Sequence, residues 1–287
     1  MSKRLEVKKT YKLYLGGAFP RSESDRTFAL TGKSGEFIAN ICRSSRKDFR
    51  NAVVAARKAQ SGWAARTAYN RGQILYRIAE MLEGRRDQLT AELRLEGLSE
   101  KEAAREVDAA IDRIVYFAGW SDKYQQVFST VNPVASAHFN FSMPEPVGLV
   151  AAVLPESAGL LGLVQTVMPA IVSGSTVVVL LSEKRPLAGL TFAEVLHASD
   201  VPGGVINLLS GFRSELLEQF ASHMDVNAVV LGSRDKAEIT LVQEKASLNV
   251  KQVLVREDES WYGAEHESPY PILDLLEIKT TWHPVGL

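Results

Sequence analysis

PVGLVAAVLPESAGLLGLVQTVMPAIVSGSTVVVLLSEKRPLAGLTFAEVLHASDVPGGVINLLSG, residues Pro146 to Gly211, alternates between two textures. An apolar run ends at the turn Pro155-Glu156-Ser157-Ala158-Gly159, and a helical stretch follows. The turn Ser173-Gly174-Ser175 leads to Thr176-Val177-Val178-Val179, whose β-branched side chains favour a strand that ends Leu180-Leu181-Ser182-Glu183. Leu187–Ala198 then reads as a helix and Val205–Leu209 as a strand. Strands alternating with helices imply a parallel sheet with right-handed crossovers. No charge occurs from Ser157 to Ser182, long enough for a transmembrane helix. Pro169 and the Ser173–Ser175 turn interrupt it, so a buried helix and a buried strand are expected.

Downstream the pattern continues: helix at Ser214–Ser222, strand at Asn227–Leu231, helix at Lys236–Glu244, strand at Gln252–Val255. Arg256–Pro271 is polar and broken by Gly263, Pro269 and Pro271, which reads as a linker. Leu273–Trp282 reads as a terminal strand that must find a pairing partner. Upstream, Tyr11–Ala18 and Phe37–Cys42 read as strands, and Ser45-Arg46-Lys47-Asp48 opens a helix that leads to a turn at Trp63. Arg71–Leu95 and Glu102–Tyr124 carry apolar stripes at helical spacing, as expected of core packing. Val127–Met143, bounded by Pro133 and Pro144, reads as strand material outside the main core.

The 287 residues are 46% hydrophobic and 23% charged, with a formal net charge of −1, so no global field points to nucleic acid. The N-terminal cations Lys3, Arg4, Lys8, Lys9 and Lys12 read as a solvated tail. A single cysteine, Cys42, excludes an internal disulfide. The polar start shows no signal peptide, and a cytoplasmic protein without membrane attachment is expected. The histidines His138, His197, His223, His266 and His283 have no metal-ligand spacing, so no metal is expected.

The segment Pro146–Gly211 resembles the cofactor-binding segment of aldehyde dehydrogenases, with its Pro-Trp-Asn-Phe-Pro turn and Gly-Asn-Thr-Val-Val-Leu-Lys-Pro-Ala-Glu strand. The resemblance extends further. Tyr14-Leu15-Gly16-Gly17 with Phe19 is similar to the family's opening hairpin, and Val53–Trp63 to its first helix. Tyr116-Phe117-Ala118-Gly119-Trp120 resembles Tyr-Tyr-Ala-Gly-Trp, and Val201–Asn207 resembles Leu-Pro-Pro-Gly-Val-Val-Asn. Leu276–Trp282 resembles the last strand, Leu-Glu-Thr-Lys-Thr-Val-Trp. After Arg256 the chain passes almost directly to that strand, which implies that the catalytic domain with its cysteine nucleophile is missing. The layout is similar to the non-catalytic C-terminal domain of tandem (family 16) aldehyde dehydrogenases.

The resemblance implies site residues one by one. The asparagine that donates to the oxyanion falls on Ser157, and the ribose-binding lysine on Leu180. The general base falls on Asn249, which cannot accept a proton at neutral pH. Cys42 lies far from the nucleophile's position and is expected to be structural. No catalytic residue is therefore expected. Three vestigial cofactor-binding positions remain. Glu183 falls on the glutamate that accepts the ribose hydroxyls, although a carboxylate there also suits the start of a helix. Gly232 and Ser233 fall on the phosphate turn, whose second glycine is Ala237. No cofactor is expected, with NAD(P) bound weakly if at all.

The expected fold is an open parallel α/β sheet, Rossmann-like, with helices on both faces. Residues 1–126 and 145–255 form that domain, residues 127–144 and 272–287 a β-flap, and residues 256–271 the linker. The leading functional expectation is a non-catalytic or assembly subunit. It would associate through the flap and terminal strand, with itself or with a complete aldehyde dehydrogenase. An NAD(P)-dependent oxidoreductase completed in trans, and a nucleotide- or anion-binding module, are the alternatives.

Overall fold

The computed structural model describes residues 9–256 and 261–286. Lys3, Arg4 and Lys8 lie outside the described residues. Lys9 is no solvated tail residue, because its ammonium pairs with Glu92 at 3.2 Å and Glu194 at 2.9 Å.

Five parallel strands form the central sheet: β5 (Leu149–Val153), β6 (Thr176–Leu180), β7 (Ile206–Leu209), β8 (Ala228–Leu231) and β9 (Gln252–Val255). Their order is β7-β6-β5-β8-β9. The first four are buried throughout, which is why they read as unbroken apolar runs. Side chains alternate between two cores: Val150 and Ala152 of β5 face one, Leu149, Ala151 and Val153 the other. The second core holds α1 (Arg46–Ala64), α8 (Arg213–Ser222) and α9 (Lys236–Ser247). The first holds α6 (Leu160–Ser173) and α7 (Leu187–His197). Behind these lie α2 (Ala68–Glu83), α3 (Arg86–Leu95) and α4 (Glu100–Trp120). No helix among the described residues is long and apolar enough to cross a membrane.

Several boundaries differ from those expected. Tyr11–Ala18 is not a strand; Tyr14 makes a single antiparallel bridge to Leu208 and Leu15 one to Ala18. The left-handed Gly16 and Gly17 between them fold the chain too tightly for a ladder. Phe37–Cys42 (β2) pairs with Thr27–Thr31 (β1), a strand the sequence did not reveal. The stripe from Arg71 to Leu95 is two helices, α2 and α3, separated at Gly84-Arg85. Pro169 does not interrupt α6, which runs through it and ends at Gly174 with φ 96°.

The flap consists of α5 (Tyr124–Phe128), β3 (Thr130–Asn132), β4 (His138–Pro146) and β10 (Leu276–Pro284). β10 pairs antiparallel with β4 from Leu276↔Pro146 to Pro284↔His138 and lies at the edge of this sheet. Every β10 residue beyond Leu276 is exposed, Ile278 and Trp282 among them.

The polar stretch read as a linker is a docked segment in its described part. Residues 257–260 lie outside the described residues. Trp261 and His266 are buried, a 3₁₀ turn spans Ala264–His266, and α10 (Tyr270–Leu273) packs on α6. The large apolar area of Trp261, with the buried Ile272, docks a stretch broken by glycine and proline.

Candidate functional site

In an open parallel sheet, ligands bind outside the carboxyl ends of the strands where the strand order reverses. Here that point lies between β5 and β8, which are neighbours in the sheet but not in sequence. A cleft of about 610 Å³ opens there, lined by Pro155, Glu156, Ser157, Lys184, Arg213 and Gly232 among others. The sequence-predicted residues do converge on it. Gly232 and Ser233 line the cleft, and Glu183 reaches the helix start beside it.

Their polar groups are already used. Glu183 Oε1 accepts the backbone N–H of Arg213 at 2.6 Å, at the first turn of α8. The Arg213 guanidinium donates to Leu154 O at 2.7 Å and Gly232 O at 3.2 Å. It also forms a bidentate pair with Glu238, with Nε···Oε1 at 3.2 Å and Nη2···Oε2 at 2.5 Å. Ser233 Oγ donates to the same Glu238 oxygen at 2.6 Å. Gly232 backs directly onto the β5 turn, where a Cβ would stand 2.2 Å from Pro155 Cδ. Burial raises Glu238, but the hydrogen bonds from Arg213 and Ser233 and the Arg213 charge outweigh it, and its carboxyl is held below the usual range. Glu183 is raised, chiefly by burial.

The same occupation recurs along the whole edge. Helices α6, α7, α8 and α9 start there, and the positive end of each is a ready anion site. Each already holds a carboxyl group of this chain. Glu106 accepts Leu161 N at the start of α6, and Glu96 accepts Leu187 N at the start of α7. Glu183 does so for α8, and Asp235 accepts Ala237 N at 2.8 Å for α9. Glu156 fills the turn before α7, accepting Lys184 N at 3.2 Å. Arg185 turns inward, donating to Glu106 at 2.8 Å and to Ser157 O at 2.8 Å. This holds the β5 turn shut against α6: a Cβ on Gly159 would fall 2.3 Å from Glu106 Oε1.

The other expected positions hold no catalytic arrangement. Leu180 is fully buried in β6, and its side chain packs in the α1–α8 core. Cys42 is buried in β2, and its thiol faces Tyr11 O at 3.5 Å. Asn249 does not stand where the resemblance put the general base. It precedes β9 and bonds to Met224 O, at the opposite end of the strand from the cleft. The residue that follows β9 into the cleft is Arg256, paired with Asp274. An arginine at that point supplies no proton acceptor. Among the described residues no group of His, Cys, Asp and Glu could hold a metal ion.

Sequence reading missed Arg213, Glu238, Glu106 and Glu96. Spacing could have found one of them: Glu238 lies in the first turn of α9, where a carboxylate is favoured. The rest meet only in the folded chain.

Glu96 gives a test of this arrangement. Its carboxyl is buried although its stem reaches the surface, and one oxygen has no partner. Burial pushes it up to about 8, with Glu106 and Glu92 adding, against the lowering effects of Arg185 and Leu187 N. The folded protein therefore keeps a proton that the unfolded chain releases above pH 4.5. The stabilisation is complete below 4.5 and lost as pH rises to about 8. The slope is up to about 1.4 kcal/mol per pH unit. Glu96→Gln keeps an acceptor for Leu187 N without the charge. Thermal melts should show the variant gaining on the wild type steadily from pH 5 to pH 8; a gap independent of pH would refute the assignment.

A model of the aldehyde dehydrogenase family matches residues 20–256. An aldehyde dehydrogenase of Davidiella tassiana is 32% identical over 244 residues, covering 84% of this chain and 49% of that protein. The mitochondrial benzaldehyde dehydrogenase of Antirrhinum majus is 32% identical over 248 residues, 84% of this chain and 46% of that protein. The chain thus spans about half the length of these curated relatives. Among solved structures, an aldehyde dehydrogenase from Bacillus cereus superposes with a TM-score of 0.81 at 25% identity, covering 86% of this chain and 50% of that one. Betaine aldehyde dehydrogenase from Staphylococcus aureus, solved in complex with NAD+, gives 0.81 at 25% identity over 86% of this chain and 50% of that one.

Proposed function

The chain belongs to the aldehyde dehydrogenase family, and from that premise we propose that it is a catalytically degenerate member acting as a non-catalytic or assembly subunit. The observation that carries the proposal is the self-occupied cleft. Four helix starts that could hold a phosphate hold the chain's own carboxyl groups instead. Glu183, Gly232 and Ser233 are tied to Arg213 and Glu238 rather than left open to a nucleotide. Such a chain has no use for binding energy directed at a cofactor, and its remaining role is association.

The flap supports that role. β10 presents nine residues of edge, with Ile278 and Trp282 exposed along it. An edge of this length is a template for strand addition. The partner is a second copy of the chain or a complete aldehyde dehydrogenase. The unpaired, buried Cys42 suits a reducing compartment, and the cytoplasm is the proposed location.

The test is the solution mass. Ile272, Leu275 and Leu276 are buried, so a truncation should spare them. A chain ending at Glu277 should stay folded by circular dichroism and fall to monomer by light scattering. Ile278→Lys with Trp282→Lys should do the same without removing the strand. An unchanged mass in both would show that β10 is not the interface.

A further inference from the structure

We infer that residues Trp261–Leu275 are an internal plug that fills the groove between α4 and α6 and closes that face to any second polypeptide. This rests on the proposed role as an associating subunit, and it states which face of the fold is withheld from association.

The groove is shaped for the plug. Trp261 is 7% exposed and lies against Gly162 of α6, where a Cβ would stand 2.9 Å from the indole Nε1 and 3.1 Å from Cε2. No larger residue fits there while the indole is in place. From α4, Arg113 is 3% exposed; it donates to Trp261 O at 3.4 Å and faces Glu267 at 3.8 Å. It also donates to Gln165 of α6, whose amide donates in turn to His266 O at 3.3 Å. The Arg105 guanidinium lies 4.2 Å above the Tyr262 ring. Further along, Ile272 and Leu275 enter the core against α6, and Asp274 pairs with Arg256 at the end of β9. The segment therefore touches α4, α6 and β9. Beneath it lies a cavity of about 330 Å³ with Pro169, Val230 and Leu254 in its wall.

The docking is not a perfect fit. Among the described residues, Trp261 Nε1 and Arg113 Nε are buried without acceptors. Unmet polar groups of this kind weaken an interface. The plug is therefore the part of this face that yields before the helices beneath it.

Hydrogen exchange on the full-length protein tests this. In the unmodified chain the amides of Ile272–Leu275 should exchange at least tenfold more slowly than those of an exposed turn. Trp261→Ala should speed them at least tenfold and raise binding of the apolar dye ANS, while β5 and β6 exchange as before. Trp261→Phe should restore most of the protection. The solution mass of Trp261→Ala should equal that of the unmodified chain, because the β10 edge is untouched; failure of the assembly role would instead show in the β10 variants. Rapid exchange of Ile272–Leu275 in the unmodified chain, or exchange that Trp261→Ala leaves unchanged, would overturn the inference.

Discussion

Arg213→Ala should cost about 3 kcal/mol of stability, the low end of what removing one partner of a buried ion pair costs. Arg213 is 9% exposed and ties the start of α8 to the ends of β5 and β8 and to α9: its guanidinium bonds Leu154 O, Gly232 O and both Glu238 oxygens. Without it the Glu238 carboxylate keeps only Ser233, and two buried carbonyls lose their donor. The low end applies because the Glu238 side chain is 26% exposed and cleft water can reach it. At roughly 2–4 °C per kcal/mol for a chain of this size, the melting temperature should fall by about 10 °C. Arg213→Lys should recover only part of this, since an ammonium cannot make the planar double contact. The sign with pH is fixed. Glu238 is held below its ordinary value of 4.5, so the pair contributes above that pH and its contribution fades as pH drops. The gap between wild type and Arg213→Ala in thermal or urea melts should therefore narrow below pH 4.5. A loss under about 0.5 kcal/mol at pH 7, no more than an ordinary surface substitution gives, would mean that the network does not hold the cleft closed.

The sheet and the place of the cleft could be read in the sequence, and the network that fills the cleft could not. Parallel strands buried on both faces appear as apolar runs, so Gln252–Val255 is legible to the residue and β7 and β8 to within one, while β6 ends at Leu180, three residues before the expected Glu183. Thr27–Thr31 escaped because its burial is partial and its run is short. Trp261 escaped because scattered aromatics in a Gly- and Pro-broken stretch show no period, yet its buried indole helps dock the segment. The position of the general base failed for a related reason: the four residues of β9 separate Asn249-Val250-Lys251 from the cleft, and an apolar strand does not show at which of its ends the base belongs. The Arg213 network is a matter of tertiary structure: Leu154, Glu183, Arg213, Gly232 and Glu238 come from four separate strand ends. Helix starts filled by the chain's own carboxyl groups have no sequence signature when the carboxyl group comes from another helix, as Glu96 and Glu106 do.

The same geometry sets the affinity for nicotinamide dinucleotides. A charged hydrogen bond from a lysine at the position of Leu180 is lost, about 1.5–3 kcal/mol or roughly 10- to 150-fold in Kd. Glu183 already accepts Arg213 N through Oε1, which fixes the carboxylate on the α8 start rather than on a ribose. A pyrophosphate approaching α6 or α9 meets Glu106 or Asp235 where it needs free N–H groups. These effects share one cleft and act against the same ligand. Calorimetric titration of the full chain with NAD and NADP at pH 7.5 is the direct measurement. We expect no saturable heat up to about 1 mM, a binding free energy weaker than about −4 kcal/mol. A dissociation constant in the low micromolar range, weakened by Glu183→Gln, would contradict the account and make the cleft a working cofactor site.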